Sequence, residues 1–266
     1  MPWVWTWPTL AAKIHVRYEG LYAVERLIGQ LAGGRARSAG IRRSLVFSGV
    51  FLALALGAVP GQAIAVAQDQ APATPESPAA APVPPIVADG FRSAKFGMTE
   101  DEVKAAIKAD FSLKGDAIVP GVNSAERTQL LTIVADDLLP DGGKAQVSYV
   151  FGYTSKKLIQ VGVSWNAQID PSVDANRLYA NGDVLTAYFT GAGYVPASIR
   201  SGVVLDNGIL LFRGEDAERH ATILILQGVY SGGGDAQRVL TPTGLALLYA
   251  ADSEKPDIFK IEPGKF

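Results

Sequence analysis

Ala145-Gln146-Val147-Ser148-Tyr149-Val150-Phe151-Gly152-Tyr153, the polar turn Thr154-Ser155-Lys156-Lys157, and Leu158-Ile159-Gln160-Val161-Gly162-Val163-Ser164-Trp165 form the stretch on which the fold depends. Val147, Tyr149 and Phe151 alternate with Ser148, Val150 and Gly152. Ile159, Val161, Val163 and Trp165 alternate in the same way with Gln160, Gly162 and Ser164. A period of two is the strand period, so the stretch predicts two antiparallel strands joined by a short turn. One face is bulky and the other smooth and mostly polar. That contrast predicts a sheet covered by a helix on the bulky side and open on the other.

Upstream, the covering helix announces itself. In Met98-Thr99-Glu100-Asp101-Glu102-Val103, Thr99 reads as an N-cap and Glu102, three residues on, completes a capping box. Val103, Ala106, Ile107 and Phe111 then share one helical face, with Lys104 and Lys108 facing water. The first-turn carboxylates suit the positive end of the helix dipole and need no catalytic explanation. Gln129 to Val134 reads as a further strand.

Downstream, the order recurs. Asp170-Pro171 reads as an N-cap followed by a first-turn proline, with Leu178, Gly182, Leu185 and Phe189 on one face before Gly191 and Gly193. Val203 to Leu205, Ile209 to Phe212, His220 to Val229 and Leu245 to Ala250 follow as strands, the first two joined by Asp206-Asn207-Gly208. The expected class is α+β: two α-β-β-β pseudo-repeats, about 91–166 and 167–251, with helices on one face of antiparallel sheet. The globular domain is expected to span 91–266.

The first ninety residues read differently. Arg42 and Arg43 precede the apolar run Leu45 to Val59, and Ala65-Val66-Ala67 supplies a small-x-small cleavage pattern before Gln68. This is the order of an export signal, with cleavage expected after Ala67 and a periodic spacer behind it. The alternative is a retained N-terminal anchor, although Pro60, Gly61 and Gln62 interrupt the run short of a full span. Residues 1–40 exceed what a signal needs and are expected to precede the true start. Residues 68–90 hold Pro72, Pro75, Pro78, Pro82, Pro84 and Pro85 among alanines and predict a semi-extended spacer with no fold of its own. The expected location is the periplasm, or outside the cell.

Charge divides along the same line. Residues 1–67 carry seven Lys/Arg against two Asp/Glu, and residues 68–266 carry 17 against 24. An acidic exported part offers no phosphate-binding footprint, which argues against nucleic acid and leaves membrane contact to an uncleaved leader.

Phe96-Gly97-Met98-Thr99-x-x-Glu102-Val103 opening a helix, and a hairpin ending Lys157-Leu158-Ile159-Gln160-Val161-x-Val163-x-Trp165, resemble exported modules of the outer-membrane-assembly lipoprotein (SmpA/OmlA) type. The tandem arrangement is similar to the β-lactamase-inhibitor-protein fold. The chain departs from both in having no cysteine, hence neither a lipidation site nor a disulfide. The resemblance implies an envelope protein that binds other proteins through its sheet face.

Motifs of catalysis are missing. The sequence has no Walker-type loop, G-x-S-x-G elbow or H-E-x-x-H. Gly191-Ala192-Gly193 follows a predicted helix rather than a strand, and Ser231-Gly232-Gly233-Gly234-Asp235 lacks the lysine of a phosphate loop. His220 is the single histidine after the leader. With no cysteine beside it, zinc is disfavoured, and Asp136, Asp137 and Asp141 lack calcium-loop spacing. No catalytic, cofactor or metal residue is therefore assigned. The leading expectation is a non-catalytic envelope protein whose open face, Ser148, Gly152, Gln160, Gly162 and Ser164, receives a protein partner. The alternatives are a carboxylate-based hydrolase using Glu215, Asp216 and Glu218, or a small-ligand-binding protein.

Overall fold

The computed structural model describes residues 83–113, 117–136, 138–232, 238–261 and 264–265. The leader, the spacer up to residue 82, Asp137 and residues 233–235 of the glycine loop lie outside the described residues.

Helix α1, Glu100–Phe111, starts where the capping box places it. The Thr99 amide donates to the Glu102 carboxylate at 2.7 Å, and the Thr99 hydroxyl accepts from the Glu102 amide. Val103, Ala106 and Ile107 are its buried residues, and Ser112 ends it with a left-handed φ of 52°. Helix α2, Ala175–Thr190, buries Leu178, Leu185 and Phe189. Its cap is a correction to the sequence reading: Asp174 accepts from the Arg177 amide, and the helix starts after it. Asp170 instead ties down the preceding loop, accepting from the Ser172 hydroxyl and from the amides of Lys144 and Ser172, bonds that hold its pKa at about 2.

A small hairpin, β1 (Gly90–Phe91) and β2 (Ala94–Lys95), precedes α1. Between the helices run β3 (Val119–Asn123), β4 (Thr128–Ala135), β5 (Ala145–Phe151) and β6 (Leu158–Asn166). After α2 come β7 (Val203–Leu205), β8 (Gly208–Glu215), β9 (Ala221–Ser231) and β10 (Val239–Ala250). Each half thus has four strands where three were expected in the first. The missed strand, β3, contains Pro120 and Gly121, which weaken a strand pattern but are tolerated at a sheet edge. The eight strands form one antiparallel sheet in the order β3-β4-β5-β6-β10-β9-β8-β7. The last strand of each half meets at the centre, with Val161 opposite Tyr249 and Val163 opposite Leu247.

Pairing register sorts the side chains into two faces. Tyr149, Val161, Trp165, Leu224 and Leu247 share one core with Val103 and Ile107 of α1 and Leu178 and Phe189 of α2. Both helices therefore serve one face, and the class is α+β. The stretch just before β1 also joins this core, with Ala88 buried and Ile86 packed against it. The expected spacer boundary at residue 90 is corrected accordingly: the apolar side chains of Ile86 and Ala88 already fold with the domain.

Candidate functional site

Register carries the second face across the sheet. Thr132 lies opposite Ser148, Ser148 opposite Gly162, and Gly162 opposite Leu248. The adjacent row joins Gln146, Ser164, Ala246, Ile225 and Leu210. Four of the five expected residues, Ser148, Gln160, Gly162 and Ser164, thus occupy one face of neighbouring strands.

The fifth does not. Gly152 lies past the end of β5, where a Cβ would collide with the Asp257 carboxylate and the Ser155 hydroxyl. Its missing side chain admits the C-terminal tail. The amides of Thr154 and Ser155 donate to Asp257 at 3.0 and 2.8 Å, and the Tyr153 amide donates to the Asp257 carbonyl. Burial alone would raise the Asp257 pKa, but these hydrogen bonds outweigh it and bring the carboxyl to about 2.

Nor is the face open to water. Ser148 is 1% and Gln160 7% exposed, although no described helix contributes to the apolar cluster there. The polar half is built of Thr132, Gln146, Ser148 and Gln160. Gln146 Nε2 approaches the Ser148 hydroxyl at 3.4 Å, and its Oε1 is buried without a hydrogen bond among the described residues. The other half is apolar: Leu210, Ile223, Ile225, Ala246 and Leu248, with Leu205 beside them. The sequence analysis missed this half. Its signal was the unbroken run Ala221 to Leu226, apolar on both faces save Thr222, which is the pattern of a strand buried on two sides.

The carboxylates near His220 serve the turn between β8 and β9. Asp216 accepts from the amides of Ala88, Glu218 and His220 and lies 3.0 Å from His220 Nδ1. Burial pushes its pKa up, yet the bonds from Ala88 and His220 leave it below the ordinary carboxylate value. A general acid needs the opposite shift. Glu215 pairs with Arg213, and the exposed Glu218 lies 4.0 Å from His220 Nε2. The His220 ring packs on Phe96. Asp136 pairs with Lys144, Asp141 occupies a turn at φ 57°, and no three metal-ligating side chains converge among the described residues.

Other functional candidates escaped the sequence analysis altogether. The β3–β4 turn, the β5–β6 turn and the tail bring Arg127, Lys156 and Phe259 to one end of the sheet from positions 132 residues apart. No helix among the described residues is long and apolar enough to cross a membrane. No family model, curated protein or solved structure matches the chain.

Proposed function

We propose that this chain is an exported, non-catalytic envelope protein that holds a protein partner on the second face of its sheet. The observation carrying the proposal is the composition of that face. Thr132, Gln146, Ser148, Gln160, Gly162, Ser164, Ala246, Leu248, Ile223, Ile225 and Leu210 form a broad surface without an ionisable group, on an exported part that is otherwise acidic. Uncharged side chains shielded from water, with no described helix upon them, have the make-up of an interface core rather than of a solvated sheet. The leader supports export, and the order of helix followed by antiparallel strands in each half supports the likeness to envelope modules of the lipoprotein type.

Crosslinking in intact cells with the tagged full-length chain, followed by mass spectrometry of the captured species and of the chain's own N-terminus, tests both parts. One dominant envelope protein on a chain beginning at Gln68 is the expected result. Gly162→Arg places a long cation at the centre of the face and is expected to reduce capture at least tenfold. Undiminished capture by a folded Gly162→Arg variant excludes this surface, and an intact leader excludes release into the periplasm.

A further inference from the structure

The ends of the sheet differ from its faces in charge. At the end carrying the β3–β4, β5–β6 and β8–β9 turns, the tail after β10 runs across the strand ends. Glu254 pairs with Arg219 near the β8–β9 turn, Asp257 binds the β5–β6 turn, and the Phe259 amide donates to the Glu126 carbonyl in the β3–β4 turn. Four exposed cations, Arg127, Lys156, Lys255 and Lys260, belong to these turns and this tail. Lys95, Lys104, Lys144, Arg213 and Arg219 each pair with a carboxylate. Among the described residues those four do not.

The neighbouring acids are engaged elsewhere. Asp252 accepts from the amides of Glu254 and Lys255, Asp257 from Thr154 and Ser155, and Glu126 from the Asn123 amide nitrogen. At the start of α1, Glu100 holds Lys104 and Glu102 holds Thr99. Two of the cations are presented by strained backbone: Arg127 and Lys156 have φ of 53° and 56°, a conformation that favours glycine. Each lies against an aromatic ring, Arg127 at 3.8 Å from the Phe259 centroid and Lys156 at 5.2 Å from that of Tyr153. The two rings meet edge-on at 5.5 Å. A row of unneutralised cations interleaved with tyrosine and phenylalanine suits the headgroup region of a bilayer, where aromatic rings settle and phosphates are plentiful.

Chain direction selects a membrane over a soluble polyanion. The first described residues join the domain at this same end, the Ile86 amide donating to the Gly193 carbonyl and the Ala88 amide to Asp216 in the β8–β9 turn. We propose that this end of the sheet docks on anionic phospholipid, with Arg127, Lys156, Lys255 and Lys260 over headgroup phosphates and Tyr153 and Phe259 at the interface. This surface is separate from the face assigned to a protein partner.

The test uses the full chain, whose lack of cysteine makes a single Ser124→Cys in the β3–β4 turn a clean attachment point for a polarity-sensitive dye. On vesicles of phosphatidylglycerol and phosphatidylcholine the dye is expected to shift to the blue, and on phosphatidylcholine alone to stay unchanged. Arg127→Glu with Lys156→Glu is expected to weaken this docking by about 25-fold or more, about fivefold for each charge lost. Lys255→Glu with Lys260→Glu, which leaves the ring contacts intact, is expected to act similarly. Reversing Lys108 and Arg238 is expected to leave the response in place. Equal shifts on both vesicle types, a response untouched by the reversals in variants with unchanged circular dichroism, or a response to inorganic phosphate but not to vesicles would each overturn the proposal.

Discussion

Asp257 shows how one side chain organises a distant turn. Its carboxylate takes two amide hydrogens of the β5–β6 turn and requires a glycine at 152 for room. Its folded pKa of about 2 lies below the roughly 3.9 of a free aspartate. A depressed carboxylate contributes stability that is present above the unfolded value and lost as pH falls through the folded one, here between about pH 4 and 2. Asp257→Asn is therefore expected to cost on the order of 1 kcal/mol at pH 7, allowing for partial exposure, and almost nothing at pH 2. Urea unfolding at both pH values checks this, and a gap that does not change with pH contradicts it. At this scale Thr99 and Glu102 were legible, since a capping box involves residues three apart. Gly152 was misassigned because what constrains it is more than a hundred residues downstream.

Among the elements, α1 separates what periodicity reveals from what it conceals. Val103, Ala106, Ile107 and Phe111 share a stripe, but only the first three are buried, while Phe111 is partly exposed beneath Arg92, whose guanidinium lies 4.5 Å from the ring centroid. Ile107→Ala is expected to cost roughly 3 kcal/mol and Phe111→Ala about half as much, because the cavity penalty applies in full only where neighbours surround the lost atoms. Thermal unfolding of the two variants checks the order, and a larger loss for Phe111→Ala contradicts the placement of α1. The β5–β6 strands were legible for the same local reason as the helix, their alternation being written in consecutive residues. The start of α2 was misplaced because Asp170-Pro171 and Asp174 both carry start signals, and the loop contacts of Asp170 with Lys144 decide between them.

For the molecule as a whole, the central β6–β10 pairing joins the halves into one sheet with one core on the helix side. A shared core predicts a shared transition: Ile107→Ala in the first half and Phe189→Ala in the second are each expected to lower the same single midpoint. Circular dichroism and Trp165 fluorescence should report coincident curves, and two separated transitions would show the halves to be independent. The same pairing creates the uncharged second face, and the tail's path across the sheet end gathers the cations that an acidic composition concealed.

By itself the sequence determined the periodicities, the first helix start, the strands of the central hairpin, the α+β class and the lack of any disulfide, because each depends on neighbouring residues or on composition. Only the tertiary structure decided which strands meet at the centre, that both halves share one sheet, that Gly152 belongs to the tail contact, and where the unpaired charges collect. Those outcomes rest on contacts between residues far apart in the chain, whose side-chain packing and hydrogen bonds no local pattern encodes.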